Sequence, residues 1–161
     1  MVILGIDPGF GITGYGLIEV EPQNIQKASL IEAGVIEVKE RETAMKLKEV
    51  SRRFAELLAR LSPDRIGIEK IFFSKNAKTA IEVTEARGLL LHISAERVGI
   101  ENIFECTPQQ VKVAVTNYGG ADKKAVARMA ALILKEPPFR LLDDATDAIA
   151  IAIATAHGMN T

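Results

Sequence analysis

The stretch Val2-Ile3-Leu4-Gly5-Ile6-Asp7-Pro8-Gly9 decides the fold. Val2 to Ile6 is a continuous apolar run, β-branched in three of five positions, and predicts a strand buried on both faces. Asp7-Pro8-Gly9 stops it. A strand of that kind belongs near the middle of a sheet, so its neighbours should lie close by in the chain. Ile12 to Glu21 and Ala28 to Lys39 are strand-like, with Pro22-Gln23-Asn24 between them as a turn signal. Three strands on short links predict an antiparallel meander.

Further out, the period changes. From Thr43 to Leu61 the residues Leu47, Val50, Phe54, Leu57, Leu58 and Leu61 share one helical face, with charges on the other. Ser62-Pro63-Asp64 ends this helix, and Arg65 to Ile71 reads as a fourth strand. Asn76 to Val98 is a long helix with a seam of Ala77, Ile81, Thr84, Gly88, Leu91, Ala95 and Val98. Asn102 to Cys106 is a short fifth strand, and Thr107-Pro108 opens a helix with Thr as N-cap and Pro in the first turn. Asp122 caps another helix to about Leu134, Pro137-Pro138 breaks it, and an alanine-rich helix begins near Asp143. The order β-β-β-α-β-α-β-α-α-α predicts an α/β fold, a five-stranded mixed sheet flanked by helices.

Residues 1–161 are expected to form one domain, since the length suits a single core and no repeat or linker divides it. Apolar residues at 48% and charged residues at 25% argue against disorder. Apolar runs such as Ala148 to Ala156 fall short of the ~20 residues of a membrane span. Met1 leads straight into Val2-Ile3-Leu4 without a signal-peptide pattern, and the single Cys106 has no internal disulfide partner. The expected location is the cytoplasm. The net charge of −1 speaks against a nucleic-acid partner, yet its distribution is uneven. Lys70 to Lys135 holds ten Lys and Arg against six Asp and Glu, whereas residues 141–161 hold Asp143, Asp144 and Asp147 and no Lys or Arg. A basic face and an acidic pocket can hide in such a balance.

Two carboxylates stand where charge is expensive. Asp7 follows the apolar run, and Glu69 ends Ile66-Gly67-Ile68-Glu69, where alternation puts it on the face of Gly67. Isolated carboxylates there cost several kcal/mol or take up a proton. Each alone is best read as a strand-end residue reaching water. In Asp143-Asp144-Ala145-Thr146-Asp147-Ala148, however, Asp144 and Asp147 lie three apart on one helical face that continues inward to Ala148 and Ile151. Capping explains Asp143 or Asp144 but not Asp147. Carboxylates that converge repel one another unless cations neutralise them, and all-oxygen ligation suits Mg²⁺ or Mn²⁺. Two such ions ~4 Å apart serve phosphodiester hydrolysis.

Other signals weigh less. Gly9-Phe10-Gly11-Ile12-Thr13-Gly14 matches G-x-G-x-x-G, but a strand follows where a dinucleotide site needs a helix; the glycines fit a tight hairpin and close backbone approach beside Asp7. His92, His157 and Cys106 make no zinc set, and Cys106 reads as a buried thiol. Lys70, Lys75 and Lys78 surround Phe72-Phe73 in a loop between strand and helix. Paired phenylalanines usually serve a core; in a basic loop, one of them is equally suited to stack on or wedge between bases. Lys112, Lys123, Lys124 and Arg128 form a second basic group, either a DNA contact or a solvated helix face.

The segments ILGIDPG, TGYG, IEKIFFSKNAKTAIEVTEARG, TPQQVK and DDATDAIAIA, in this order, resemble those of the RuvC Holliday-junction resolvases, a bacterial family of the ribonuclease H-like superfamily. The resemblance implies that Asp7, Glu69, Asp144 and Asp147 are catalytic and hold two Mg²⁺ ions, with Mn²⁺ as a substitute. It places Phe72 at the family's base-contacting aromatic and Lys112 and Lys123 at its DNA-contacting lysines. The helix from Asn76 to Val98 matches the family's dimer-forming helix. The function implied is a homodimeric endonuclease that resolves four-way junctions by symmetric nicks and works with the branch-migration proteins RuvA and RuvB. A catalytically silent nucleic-acid binder of the same fold is the alternative. A sugar-kinase-like phosphate module, which needs two domains around its nucleotide, is a poorer fit to 161 residues.

Overall fold

The computed structural model describes residues 1–21, 24–70 and 77–158, with 77–79 by their backbone alone. Its sheet has the strand order β3-β2-β1-β4-β5. The apolar run forms β1 (Val2–Asp7) at the centre, antiparallel to β2 (Ile12–Glu21), which pairs antiparallel with β3 (Asn24–Glu37). On its other side β1 runs parallel to β4 (Arg65–Glu69), and β4 parallel to β5 (Ile103–Cys106). The predicted meander and mixed sheet are both present.

Several boundaries differ from expectation. The third strand starts at Asn24 rather than Ala28 and stops at Glu37 rather than Lys39. Glu21 pairs with Asn24, so the ladder runs up to the turn, with register shifts between Leu17 and Ile18 and between Glu19 and Glu21. This is an edge strand, and polar residues such as Gln26 and Lys27, at the register shift, can extend it while facing water. The fourth strand ends at Glu69; Ile71 lies outside the described residues.

The pleat sorts side chains between two layers. Leu4, Ile6, Leu17, Ile66 and Ile68 point to one face, where α1 (Thr43–Leu61) adds Val50, Phe54, Leu57 and Leu58 and α2 (Ala77–Val98) adds Leu90. Ile3 and Ile18 point to the other, covered by α3 (Pro108–Thr116), α4 (Lys123–Ile133) and α5 (Asp143–Gly158). Cap chemistry fixes α3 and α4. Thr107 accepts from the Gln110 N–H at 3.1 Å while Gln110 accepts from the Thr107 N–H at 2.8 Å, and Asp122 accepts from the Ala125 N–H at 2.7 Å. The first half of the seam foreseen on α2 faces outward, with Ile81 59% exposed and open space around Gly88, whereas Leu91 and Val98 pack against the core; Ala80, Ala86, Leu90 and Ser94 form the buried side.

Helix α5 packs against the sheet at backbone distance. A Cβ on Gly5 would fall on the carbonyl oxygen of Ala148, one on Gly14 on that of Asp144, and one on Gly67 on the Thr155 hydroxyl. The glycines of β1, β2 and β4 thus form a floor without side chains, and the alanines of α5 settle into it. That close approach sets the depth of everything on the first turn of α5.

Candidate active site

Asp7 and Glu69 are the last residues of β1 and β4. Ile6 pairs with Ile68, so the two carboxylates sit at the next position on adjacent strands, which are spaced by about 4.8 Å. Both lie on the pleat face of Gly5 and Gly67, the face that α5 covers. Helix α5 begins there, with the backbone of Asp144 against Gly14, the β2 partner of Asp7. Asp144 and Asp147 are half-buried, whereas Asp143 is exposed. No hydrogen bond from Asp143 or Asp144 caps the helix among the described residues; its first turn is closed by Ala145 and Thr146 N–H groups bonding to the Leu142 carbonyl.

The carboxylates feel one another. The Asp7 carboxyl is pushed up to about 7, first by burial, then by the charges of Glu69, Asp147 and Asp144, with Lys123 opposing. Burial and Asp147 push Glu69 up to about 6. The ammonium of Lys123, the first residue of α4, donates to Asp147 Oδ2 at 2.7 Å, and this bond raises the lysine's own pKa. Asp7, Glu69, Asp147, Lys112 and Lys123 line a cleft of about 310 Å³, whose apolar wall includes Val111 and Val126. With their side chains as they stand, no three acidic, imidazole or thiol groups among the described residues close around a single point as a metal shell. The donor set itself is all oxygen and short of positive charge, and the one cation bonded within it is Lys123. That chemistry fits a hard divalent ion.

The remaining candidates separate. Lys112 reaches the cleft from α3, and Lys124 and Arg128 are exposed on α4. Phe72, Phe73 and Lys75 lie outside the described residues, as does the side chain of Lys78. Cys106 is fully buried; desolvation, helped by Glu69, pushes its thiol up to about 12, which keeps it protonated and unreactive. His157 lines a different cleft of about 440 Å³ with Phe104 and Val113. Two features escaped sequence reasoning. Lys123, expected to face DNA, is bonded into the carboxylate cluster. Arg87 of α2 donates to the Glu69 carbonyl at 2.8 Å and pairs with Glu105 of β5. Neither contact has a local signal, because each joins elements far apart in the chain.

The family described as Crossover junction endodeoxyribonuclease RuvC matches residues 3–156. The chain belongs to the RuvC family. A RuvC relative from Thermosipho melanesiensis is 43% identical over 153 residues, covering 94% of this chain and 94% of its own length. The solved RuvC structure of Thermus thermophilus superposes with a TM-score of 0.86 at 30% identity, covering 100% of this chain and 98% of that one. The same RuvC in complex with a Holliday junction substrate gives 0.83 at 31% identity, over 96% and 92% of the two chains. The sheet and its helices are therefore the ribonuclease H-like fold of RuvC.

Proposed function

We propose that the protein is a Holliday-junction resolvase, a structure-selective endonuclease of homologous recombination and repair whose one nuclease domain spans residues 1–161. The observation that carries the reading is the meeting of Asp7 and Glu69, from the ends of adjacent strands, with Asp144 and Asp147 on α5. A stable fold gains nothing from a cleft in which burial and neighbouring acidic groups push the Asp7 and Glu69 carboxyls up. A nuclease gains a site for cations at the scissile phosphate. Membership of the RuvC family, and the junction complex of the Thermus thermophilus relative, support the substrate.

Asp7, Glu69, Asp144 and Asp147 would hold two Mg²⁺ ions, with Mn²⁺ as a substitute; when bound, such ions activate water and stabilise the departing 3′ oxygen. The chain's own residues do the rest. The glycine floor holds α5 at a fixed depth, so the carboxylates keep their spacing without the metal. Lys123 neutralises Asp147 while the site is empty of other cations and can swing to a backbone phosphate when one arrives. Lys112 supplies a second positive charge on the same rim, and Lys124 extends the basic edge along α4. Phe72, Phe73, Lys75 and Lys78 are proposed to meet the junction beside Glu69. The exposed seam of Ile81 and Gly88 on α2 is proposed to pair with that of a second copy, because a two-fold dimer matches a two-fold junction and yields paired nicks. RuvA and RuvB as partners and a cytoplasmic location complete the reading; no helix among the described residues is long and apolar enough to cross a membrane.

The test is a labelled synthetic four-way junction beside a linear duplex of matched sequence. Symmetric nicks across the junction, with ligatable 5′-phosphate and 3′-hydroxyl ends and an uncut duplex, are expected. Binding without cutting under any divalent metal would favour the silent binder instead.

A further inference from the structure

Glu69 is the last residue of β4, where the chain leaves the sheet for α2. The ladder to β5 ends there, with the Lys70 N–H donating to the Cys106 carbonyl at 2.8 Å. The Glu69 carbonyl is met by a side chain instead, the Arg87 Nε donating at 2.8 Å. The other end of the same guanidinium pairs with the Glu105 carboxylate on β5. Arg87 has only 16% of its side chain exposed, and its planar group is held at both ends, by the Glu69 carbonyl and the Glu105 carboxylate. We infer that Arg87 is a positioning residue: by clamping the Glu69 peptide between α2 and β5, it fixes the direction in which the Glu69 carboxylate enters the cleft. The inference rests on the reading of Glu69 as a metal ligand.

The physical basis is the short lever between the two groups. The Glu69 carbonyl and side chain share one Cα, so anchoring the carbonyl on Arg87 steadies the strand end from which the side-chain torsions carry the carboxylate into the cleft. A carboxylate free to turn about a loose strand end spends part of its time outside the geometry a metal needs, and outer-shell partners of metal ligands commonly contribute 10- to 100-fold to affinity or rate. The clamp also ties the cleft to α2, the helix that carries the exposed Ile81 and Gly88. Glu105 is the second part, because its carboxylate neutralises Arg87 and holds the other end of the guanidinium.

Arg87→Gln and Glu105→Gln test this, compared with Arg87→Lys and Glu69→Gln on the full-length protein. Three readouts are taken: junction cleavage against Mg²⁺ concentration, junction affinity in EDTA, and the thermal shift produced by Mg²⁺ or Mn²⁺ alone. The expected result for Arg87→Gln is a rise of about tenfold or more in the Mg²⁺ concentration for half-maximal cleavage and a smaller metal-induced thermal shift. Junction affinity in EDTA should stay within about twofold of wild type, which a general loss of structure would not permit. Arg87→Lys should recover part of the loss, and Glu105→Gln should move the same readouts less, without removing the Glu69 contact. An unchanged metal dependence in both Arg87→Gln and Glu105→Gln, with Glu69→Gln inactive, would overturn the role of Arg87 alone. Wild-type cleavage by Glu69→Gln would overturn the carboxylate reading and this inference together.

Discussion

Replacing Asp7 with Asn should make the metal-free protein more stable, which is the opposite of what removing a native side chain usually does. Asp7 accepts no hydrogen bond from any described residue, so an amide of the same shape gives up no partner. Its cost in the charged form is set by burial and by Glu69, Asp147 and Asp144, which together move it from 3.8 to about 7. A displacement of that size corresponds to roughly 4 kcal/mol of penalty on the charged state, an upper figure for a cleft that water reaches. The sign follows from proton counts. Below 3.8 both folded and unfolded chains hold the proton, and Asp7 costs nothing. Between 3.8 and about 7 the unfolded chain releases it while the folded chain retains it, so stability falls as pH rises through that window. Glu69, pushed up to about 6, adds to the same trend. Asp7→Asn escapes its own share. Thermal denaturation in EDTA should give equal melting temperatures near pH 4 and an advantage for Asp7→Asn that grows toward pH 8, on the order of 10 °C for a chain of this size. Adding Mg²⁺ should raise the wild type more than the variant and narrow the gap. A variant no more stable than wild type at pH 8 in EDTA would refute the claim that burial and the neighbouring carboxylates penalise a charged Asp7.

Three further outcomes are expected. Gly14→Ala drives a methyl group into the Asp144 carbonyl and lifts the start of α5; it should cost about 3 kcal/mol by calorimetry and lower cleavage along with stability. Lys112→Ala should weaken junction binding in EDTA evenly across sequences and reduce the salt dependence of log K by about one, as removal of a single phosphate contact does. Ile81→Asp alters a side chain already 59% exposed in the chain, so the melting temperature of dilute protein should hold while sedimentation shifts from dimer toward monomer.

The sheet was legible because its strands obey simple rules. Val2 to Ile6 is apolar at every position and lies at the centre, and the alternation at Ile66-Gly67-Ile68-Glu69 correctly put Glu69 on the glycine face. Thr107-Pro108 and Asp122 marked helix starts because capping is a local interaction with local residue preferences. The start of the third strand is not legible because Gln26 and Lys27, both exposed on an edge, interrupt the apolar pattern after the partly buried Ile25. At the cleft, the spacing of Asp144 and Asp147 pointed inward as a helix requires, and Asp143 stayed outside. The reach of Lys123 to Asp147 spans 24 residues of chain and that of Arg87 to Glu69 spans 18, so no periodicity could announce either. Gly5, Gly14 and Gly67 were visible as glycines, but their common role as the floor for α5 depends on a register that only the folded sheet supplies.

The proposed chemistry is the cutting of a junction by converging carboxylates through bound cations. Its most direct test is the rate of nicking of a synthetic four-way junction by wild type and by Asp144→Asn, over a Mg²⁺ titration, with junction binding measured in the same mixtures. Paired, Mg²⁺-dependent nicks are expected for the wild type, and for Asp144→Asn a complex of undiminished affinity that leaves the junction intact. Nicking by Asp144→Asn at the wild-type rate, or wild-type nicking that persists in EDTA, would contradict it.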